Sequence, residues 1–284
     1  MKKIILLIFF LIIIPPSNAY VTFKKGYLAS YWDMEETEGT RYDSKGNTNL
    51  FSSGVSSLSG KVGKSASFNG NYLYRSDSSN YFSPDKFAIS VWIYSSDYGT
   101  YHRIALNKGE FGSESLCYAL TFRDYATSVN FLNSGSWSSG NYNQYDWNHI
   151  VIIVSEQGNG LYINGIKAGI IGTSCQNGKT GNFYMGREIK SGNFATGDYF
   201  KGRIDEFGLW RGINFFDNQE AEDFVSSLYN NGEGVSYDTI INSVVCGDGI
   251  RQSDEQCDDG NIINNDGCSS TCQEDCPSCP QYSP

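Results

Sequence analysis

Asp205 and Glu206 stand side by side in the apolar run FKGRIDEFGLWRG, Phe200 to Gly212, so a carboxylate pair is the first chemistry to weigh. Glycoside hydrolysis needs two carboxylates flanking one bond, and on a strand they come from positions i and i+2, because alternate side chains share a face. Adjacent residues point to opposite faces unless a bulge intervenes, so Asp205 and Glu206 cannot form that pair on a regular strand. The two histidines, His102 and His149, leave little for a zinc site or a Ser-His-Asp arrangement. His149 opens the strand-like WNHIVIIV and reads as a packed residue rather than a catalytic one. Recognition is the better-supplied chemistry. The stretch NSGSWSSGNYNQY, 133–145, sets Trp137, Tyr142 and Tyr145 among Ser, Gly and Asn, a mixture of rigid aromatic plates and adaptable hydrogen bonds suited to a ligand. The competing use is that these rings fold back onto the protein's own core.

Composition limits the partners. Met1, Lys2 and Lys3 precede eleven unbroken apolar residues, Ile4 to Ile14, and Ser17 and Ala19 supply the small residues of a cleavage site. Such a run is too short to cross a bilayer, so residues 1–19 read as a secretory signal with the mature chain starting at Tyr20. No second apolar run follows, and removing the signal moves the formal charge from −10 to −12, which argues against nucleic acid as a partner. Eight cysteines in an exported chain are expected to pair. Cys117 and Cys175 lie in the long first part, while Cys246, Cys257, Cys268, Cys272, Cys276 and Cys279 crowd into the last 39 residues. That segment is too short for a core of its own and needs staples. Cys117 is expected to bridge Cys175, and the other six to pair among themselves. Zinc held by Cys268, Cys272, Cys276 and Cys279 is the alternative, disfavoured by export.

The same tail carries eight acids, Asp248, Asp254, Glu255, Asp258, Asp259, Asp266, Glu274 and Asp275, against the single base Arg251. Asp258, Asp259, Asn261, Asn265 and Asp266 could offer oxygens to calcium, but their spacing is not that of an EF-hand, and Asp-Gly and Asn-Gly pairs are ordinary turn formers. Cys276-Pro-Ser-Cys279 has redox spacing without the surrounding βαβ pattern.

Stepping along the chain, residues 20–235 alternate short β-type runs with Gly, Ser and Asn turns, the pattern of one all-β sandwich. Asn164-Gly165 between two short strands predicts a type I′ hairpin. The unbroken Ile150 to Val154 predicts a strand covered on both faces. After Asn218, the positions of Ala221, Phe224, Val225 and Leu228 predict a helix stopped at Gly232. Residues 236–245 read as a linker, 246–275 as a cysteine-rich repeat and 276–284 as a tail.

The order of motifs in residues 31–234 resembles the laminin-G-like, concanavalin-A-like jelly roll: YWDM at Tyr31 to Met34 with DSKGN at Asp43 to Asn47; GKVGKSASFNG from Gly60; FAISVW from Phe87; WNHI from Trp147; LYING from Leu161; and the closing run from Phe200. The tail's CGDG from Cys246, EQCDDGN from Glu255 and DGCSSTC from Asp266 resemble the myxobacterial cysteine-rich repeat, a secreted domain of unknown function. The first resemblance implies two antiparallel sheets packed face to face and a carbohydrate- or protein-recognition role. It further implies that Asp43, with Gly46 and Asn47, can meet Asp205 at a calcium ion. The alternative is that Asp43 forms an Asx turn and Asp205 caps backbone. The reading from sequence is therefore an all-β, secreted, non-catalytic module that binds glycans, with protein-binding adhesion and glycoside hydrolysis as the other two functions open to it.

Overall fold

The computed structural model describes residues 23–275, apart from 47, 78, 80, 97–102, 110–116, 124–127, 134–135, 172–180, 191–192, 244–245, 247–250, 252–254 and 262. The expected signal peptide, His102, Cys175, Cys276 and Cys279 lie outside the described residues.

The strands in chain order are β1 (Leu28–Trp32), β2 (Phe51–Ser52), β3 (Ser56–Ser59), β4 (Lys64–Asn69), β5 (Leu73–Arg75) and β6 (Phe87–Ser95). There follow β7 (Arg103–Lys108), β8 (Tyr118–Arg123), β9 (Ser128–Asn133), β10 (Ser136–Asn141), β11 (Trp147–Val154) and β12 (Gly160–Ile163). The last are β13 (Ile166–Gly169), β14 (Phe183–Met185), β15 (Arg187–Lys190), β16 (Asn193–Tyr199) and β17 (Lys201–Arg211), before helices α1 (Asn218–Tyr229) and α2 (Tyr237–Ile241). The first sheet runs β13-β12-β11-β6-β17-β4-β3, with β1 also on β17, and the second runs β10-β9-β8-β7-β14-β5-β2; all pairings are antiparallel. β15 and β16 form a separate hairpin. This is the two-sheet sandwich that the sequence predicts.

The first sheet is buried on both faces, and its sequence shows why. Ile150 and Ile152 of β11 enter the core between the sheets with Ile89, Val91, Leu106, Leu120 and Phe183. Val151 and Ile153 point the other way, into a second core closed by Trp210 and by Ala221, Phe224, Val225 and Leu228 of α1. Alternation along a strand with apolar residues at every position leaves no face for water. Helix α1 starts where Asp217 accepts a bond from the Glu220 N–H at 2.9 Å and ends at Asn230 in the left-handed region. Asn164 and Gly165 take φ of 51° and 81°, the positive pair a type I′ turn demands.

The segment read as a linker carries structure. Ser236 caps α2, whose Ile240 is fully buried in the second core. Beyond it, Cys246–Cys272 and Cys257–Cys268 are disulfides, so the tail's described cysteines pair among themselves. Cys117 is also disulfide-bonded.

Candidate functional site

The acidic pair lies at a bulge. Asp205 is opposite Trp92 and the register resumes at Gly208 opposite Ser90, with Glu206 at φ 48° between them. The extra residue brings both carboxyls toward the α1 side of the first sheet, which adjacency on a regular strand forbids. There they are fully used. Asp205 Oδ2 accepts the N–H groups of Lys61 (2.7 Å) and Val62 (3.0 Å), and Oδ1 that of Glu206 (3.0 Å). These bonds hold the Gly60–Gly63 turn, and a Cβ at Gly60 would stand 2.5 Å from Asp205 Oδ2. Glu206 Oε2 accepts the Tyr31 hydroxyl, which also reaches the Val235 carbonyl at 3.2 Å.

Burial pushes the Glu206 carboxyl up to about 9, with the Asp205 charge as the second cause. Burial also raises Asp205, to about 8, against the three N–H groups that favour its ionised form. Those three donors leave no acceptor for a proton on Asp205, so the pair's single negative charge belongs there and the proton on Glu206. Asp205 is 0% and Glu206 3% exposed. A glycosidic bond has no access to either.

Nor does the expected calcium set fit. Asp43 Oδ1 accepts the N–H groups of Tyr31, Lys45 and Gly46 at 3.0 to 3.1 Å, while Oδ2 accepts the Ser30 hydroxyl at 2.7 Å and the Thr48 N–H at 3.1 Å. Five donors around one carboxylate fill the positions a cation would take. Gly46 contributes its N–H rather than a carbonyl, and Asn47 lies outside the described residues. Asp43 is therefore an Asx-turn anchor and Asp205 a turn cap. Among the described residues one group of metal-ligating atoms converges, Cys246, Glu255 and Cys272, and its two sulfurs are bonded to each other.

His149 is packed, as its sequence context suggests. It is buried between Trp92 (4.9 Å between ring centroids) and Tyr229 (6.0 Å), with Nε2 at 2.8 Å from Ser90 Oγ. Burial pulls its ring down to about 3, so it is neutral at any physiological pH. Of the three recognition aromatics, Tyr142 requires correction: it is 5% exposed and meets Phe122 edge-on at 5.0 Å in the core, so its ring area serves packing. Tyr145 is 54% exposed. The backbone of Trp137 is described, opposite Leu132, but its side chain is not among the described ones.

The second sheet offers what the first does not, a face left partly open. In β5 and β14, Leu73, Phe183 and Met185 point into the core, so Tyr74 and Tyr184 between them point outward. Register aligns Phe51, Tyr74 and Tyr184 in one row across β2, β5 and β14, and the row continues through Asn107, Ala119, Leu132 and Trp137 to the far edge. Centroids are 5.8 Å apart for Phe51–Tyr74 and 6.4 Å for Tyr74–Tyr184; Tyr72 flanks the row, 5.8 Å from Tyr74 and 6.2 Å from Tyr184. Asn182 Nδ2 donates to the Tyr184 hydroxyl at 2.8 Å, fixing that ring. Phe51 is 46% exposed, Tyr72 and Tyr74 half-buried. This aromatic floor was missed from sequence, although Tyr72-Leu73-Tyr74 carries the period-2 alternation that marks it.

The family described as the concanavalin A-like lectin/glucanases superfamily matches residues 67–213, and a domain of unknown function matches 232–273. Domain 4 of AbnA, a GH43 extracellular arabinanase from Geobacillus stearothermophilus solved with arabinotriose, superposes with a TM-score of 0.52 at 20% identity, covering 70% of this chain and 98% of that one. Trypanosoma rangeli sialidase with 2,3-difluorosialic acid gives 0.53 at 14% identity over 74% of this chain, which spans 34% of the sialidase. The binding domain of Paraclostridial Mosquitocidal Protein 1 gives 0.51 at 20% identity over 74% of this chain and 54% of that one. Mouse Pappalysin-1 is 37% identical over 94 residues, 32% of this chain and 5% of its own length.

Proposed function

The chain belongs to the concanavalin A-like lectin/glucanases superfamily, and we propose that it is a secreted, non-catalytic glycan-binding module whose ligand lies on the aromatic floor of the second sheet. One observation carries the reading: Phe51, Tyr72 and Tyr74 gather their rings at 5.8 Å centroid spacing on the partly open face of that sheet, backed by the buried ring of Tyr184. Sugars present C–H faces to aromatic rings and hydroxyls to polar rims, and a floor of this kind meets both needs. The burial of Asp205 and Glu206 supports a binding rather than a hydrolytic role. The arabinotriose in the arabinanase domain's structure supports a saccharide as the class of ligand. Export is supported by the Ile4 to Ile14 run and by the disulfides.

A glycan array probed with the full chain tests this, with Tyr74→Ala as the control. Removing one stacked ring costs about 1.4 kcal/mol, or about tenfold in affinity. Tyr74 is half-buried at the surface, so the variant keeps its fold. Array binding that Tyr74→Ala leaves at full strength would refute the assignment.

A further inference from the structure

Arg75 closes β5 beside the most exposed ring of the floor. Its guanidinium carbon lies 5.9 Å from the centre of the Phe51 ring, and Nη1 donates to the Asn49 carbonyl at 3.1 Å. Nε and Nη2 have no partner among the described residues, and neither is sealed from water. These two nitrogens form one edge of the planar fork, with parallel N–H groups that match both oxygens of a carboxylate. No acid of the described protein takes that place. Lys24, Arg41, Lys86 and Lys108 reach the carboxylates of Glu220, Glu36, Glu156 and Asp77, whereas Arg75 reaches none among the described residues. Asp77, two residues beyond Arg75, is 4% exposed, and Lys108 meets its charge at 3.0 Å. The segments that carry the rings of the floor, 49–55, 69–76 and 181–187, hold two arginines, Arg75 and Arg187, and no Asp or Glu, although the whole chain has 31 acids against 21 bases. An anion laid on the floor meets no carboxylate from these segments.

Resting on the glycan reading above, we infer that the floor takes an acidic saccharide, with the carboxylate of one sugar unit on the Nε–Nη2 edge of Arg75 and the sugar rings on Tyr72 and Tyr74. Uronic acids and sialic acids both present a carboxylate on a ring with apolar C–H faces. Every protein group in this contact is open to solvent: Phe51 is 46% exposed, and Tyr72, Tyr74 and Arg75 are half-buried. The guanidinium is also held in advance. The Phe51 ring and the Asn49 carbonyl both fix it, so a ligand does not have to order a free arginine, and less of the attraction is lost to entropy. A neutral sugar stacks on the same rings and leaves the fork in water, which makes Arg75 the group that separates acidic from neutral saccharides.

Calorimetric titration of the full chain tests this with matched pairs: trigalacturonate against galactotriose, sialyllactose against its carboxamide, and the acidic and carboxyl-reduced forms of whichever saccharide the array returns. The acidic member of at least one pair is expected to bind about tenfold tighter than its neutral partner, the gain from one charge-assisted contact, and to lose that gain as salt rises. Which pair shows it distinguishes a uronic from a sialic acid. Arg75→Gln is expected to bring the acidic ligand down to the neutral one and to leave the neutral affinity unchanged. Arg75→Lys keeps the charge without the fork and is expected to retain about threefold at most. Melting temperatures close to the parent's check that both variants are folded. Acidic and neutral members bound equally in every pair, or either variant keeping the gain in full, would overturn the inference and leave the glycan reading standing. Binding of no saccharide, or Tyr74→Ala binding at full strength, instead overturns the glycan reading beneath it.

Discussion

Glu206→Gln should free the stability of the sandwich from a pH dependence built into its first sheet. The Glu206 carboxyl is pushed from an ordinary 4.5 up to about 9 by burial and by the Asp205 charge. Such a group holds its proton in the folded protein while the unfolded chain releases it near pH 4.5. Folding stability is then greatest below pH 4.5 and falls by about 1.4 kcal/mol per pH unit until the folded group itself ionises near pH 9. Between pH 4.5 and pH 7 the loss from this one residue is about 3 kcal/mol. Glutamine keeps an oxygen for the Tyr31 hydroxyl and cannot ionise, so the variant should gain on the parent steadily as pH rises. Urea unfolding of both proteins at pH 5, 7 and 9 measures the difference, and taking the difference cancels the other titrating groups. Parallel curves across that range would show that Glu206 is ionised in the folded state and would refute the assignment of the proton.

Two further outcomes follow from the buried charges. Lys108 and Asp77 form an ion pair at 3.0 Å with side chains 0% and 1% exposed. Lys108→Met should cost about 3 to 5 kcal/mol in urea unfolding, because it leaves a charge buried beside apolar groups, and adding Asp77→Asn should restore most of it. A loss below about 1 kcal/mol would show that the N–H groups of Tyr81 and Phe82, which also bond Asp77, suffice alone. Melting of the jelly roll should be the same in calcium and in chelator, because Asp43 and Asp205 already accept eight donors between them; a calcium-dependent rise that Asp43→Asn abolishes would refute this.

Local signals carried most of the fold. The hairpin at Asn164-Gly165, the doubly buried Ile150 to Val154 and helix α1 each depend on a few consecutive residues, and each is where its pattern puts it. Helix α2 escaped because five residues give too little periodicity, and its reason to exist is the burial of Ile240 in the second core, whose other members, Tyr31 and Trp210 among them, lie far away in sequence. The site was less legible for the same reason. Phe51, Tyr74 and Tyr184 lie far apart in sequence and are joined only by strand register, which no local pattern fixes. Tyr142, by contrast, sits in a run rich in Ser, Gly and Asn that looks exposed, and the neighbour that buries it, Phe122, belongs to another strand.

The residues with the most chemical promise on paper turn out to be framework. Asp43 gathers the 43–48 turn onto β1, Asp77 the 79–82 backbone, and Asp205 the Gly60–Gly63 turn onto β17. Arg41, wholly buried, ties down the carbonyls of Gly39, Val55 and Ser56. A sandwich with one sheet covered on both faces has many loop ends to bring near a dry interior, and each buried N–H or carbonyl there needs a partner. Acids and bases supply several partners apiece, which is why they concentrate at those ends. Among the aromatics, Phe51, Tyr72, Tyr74 and Tyr145 are the ones a ligand can reach. In this architecture, binding is therefore to be sought in rings exposed without a packing reason, and a buried carboxylate with a full set of donors counts as evidence against chemistry at that carboxylate.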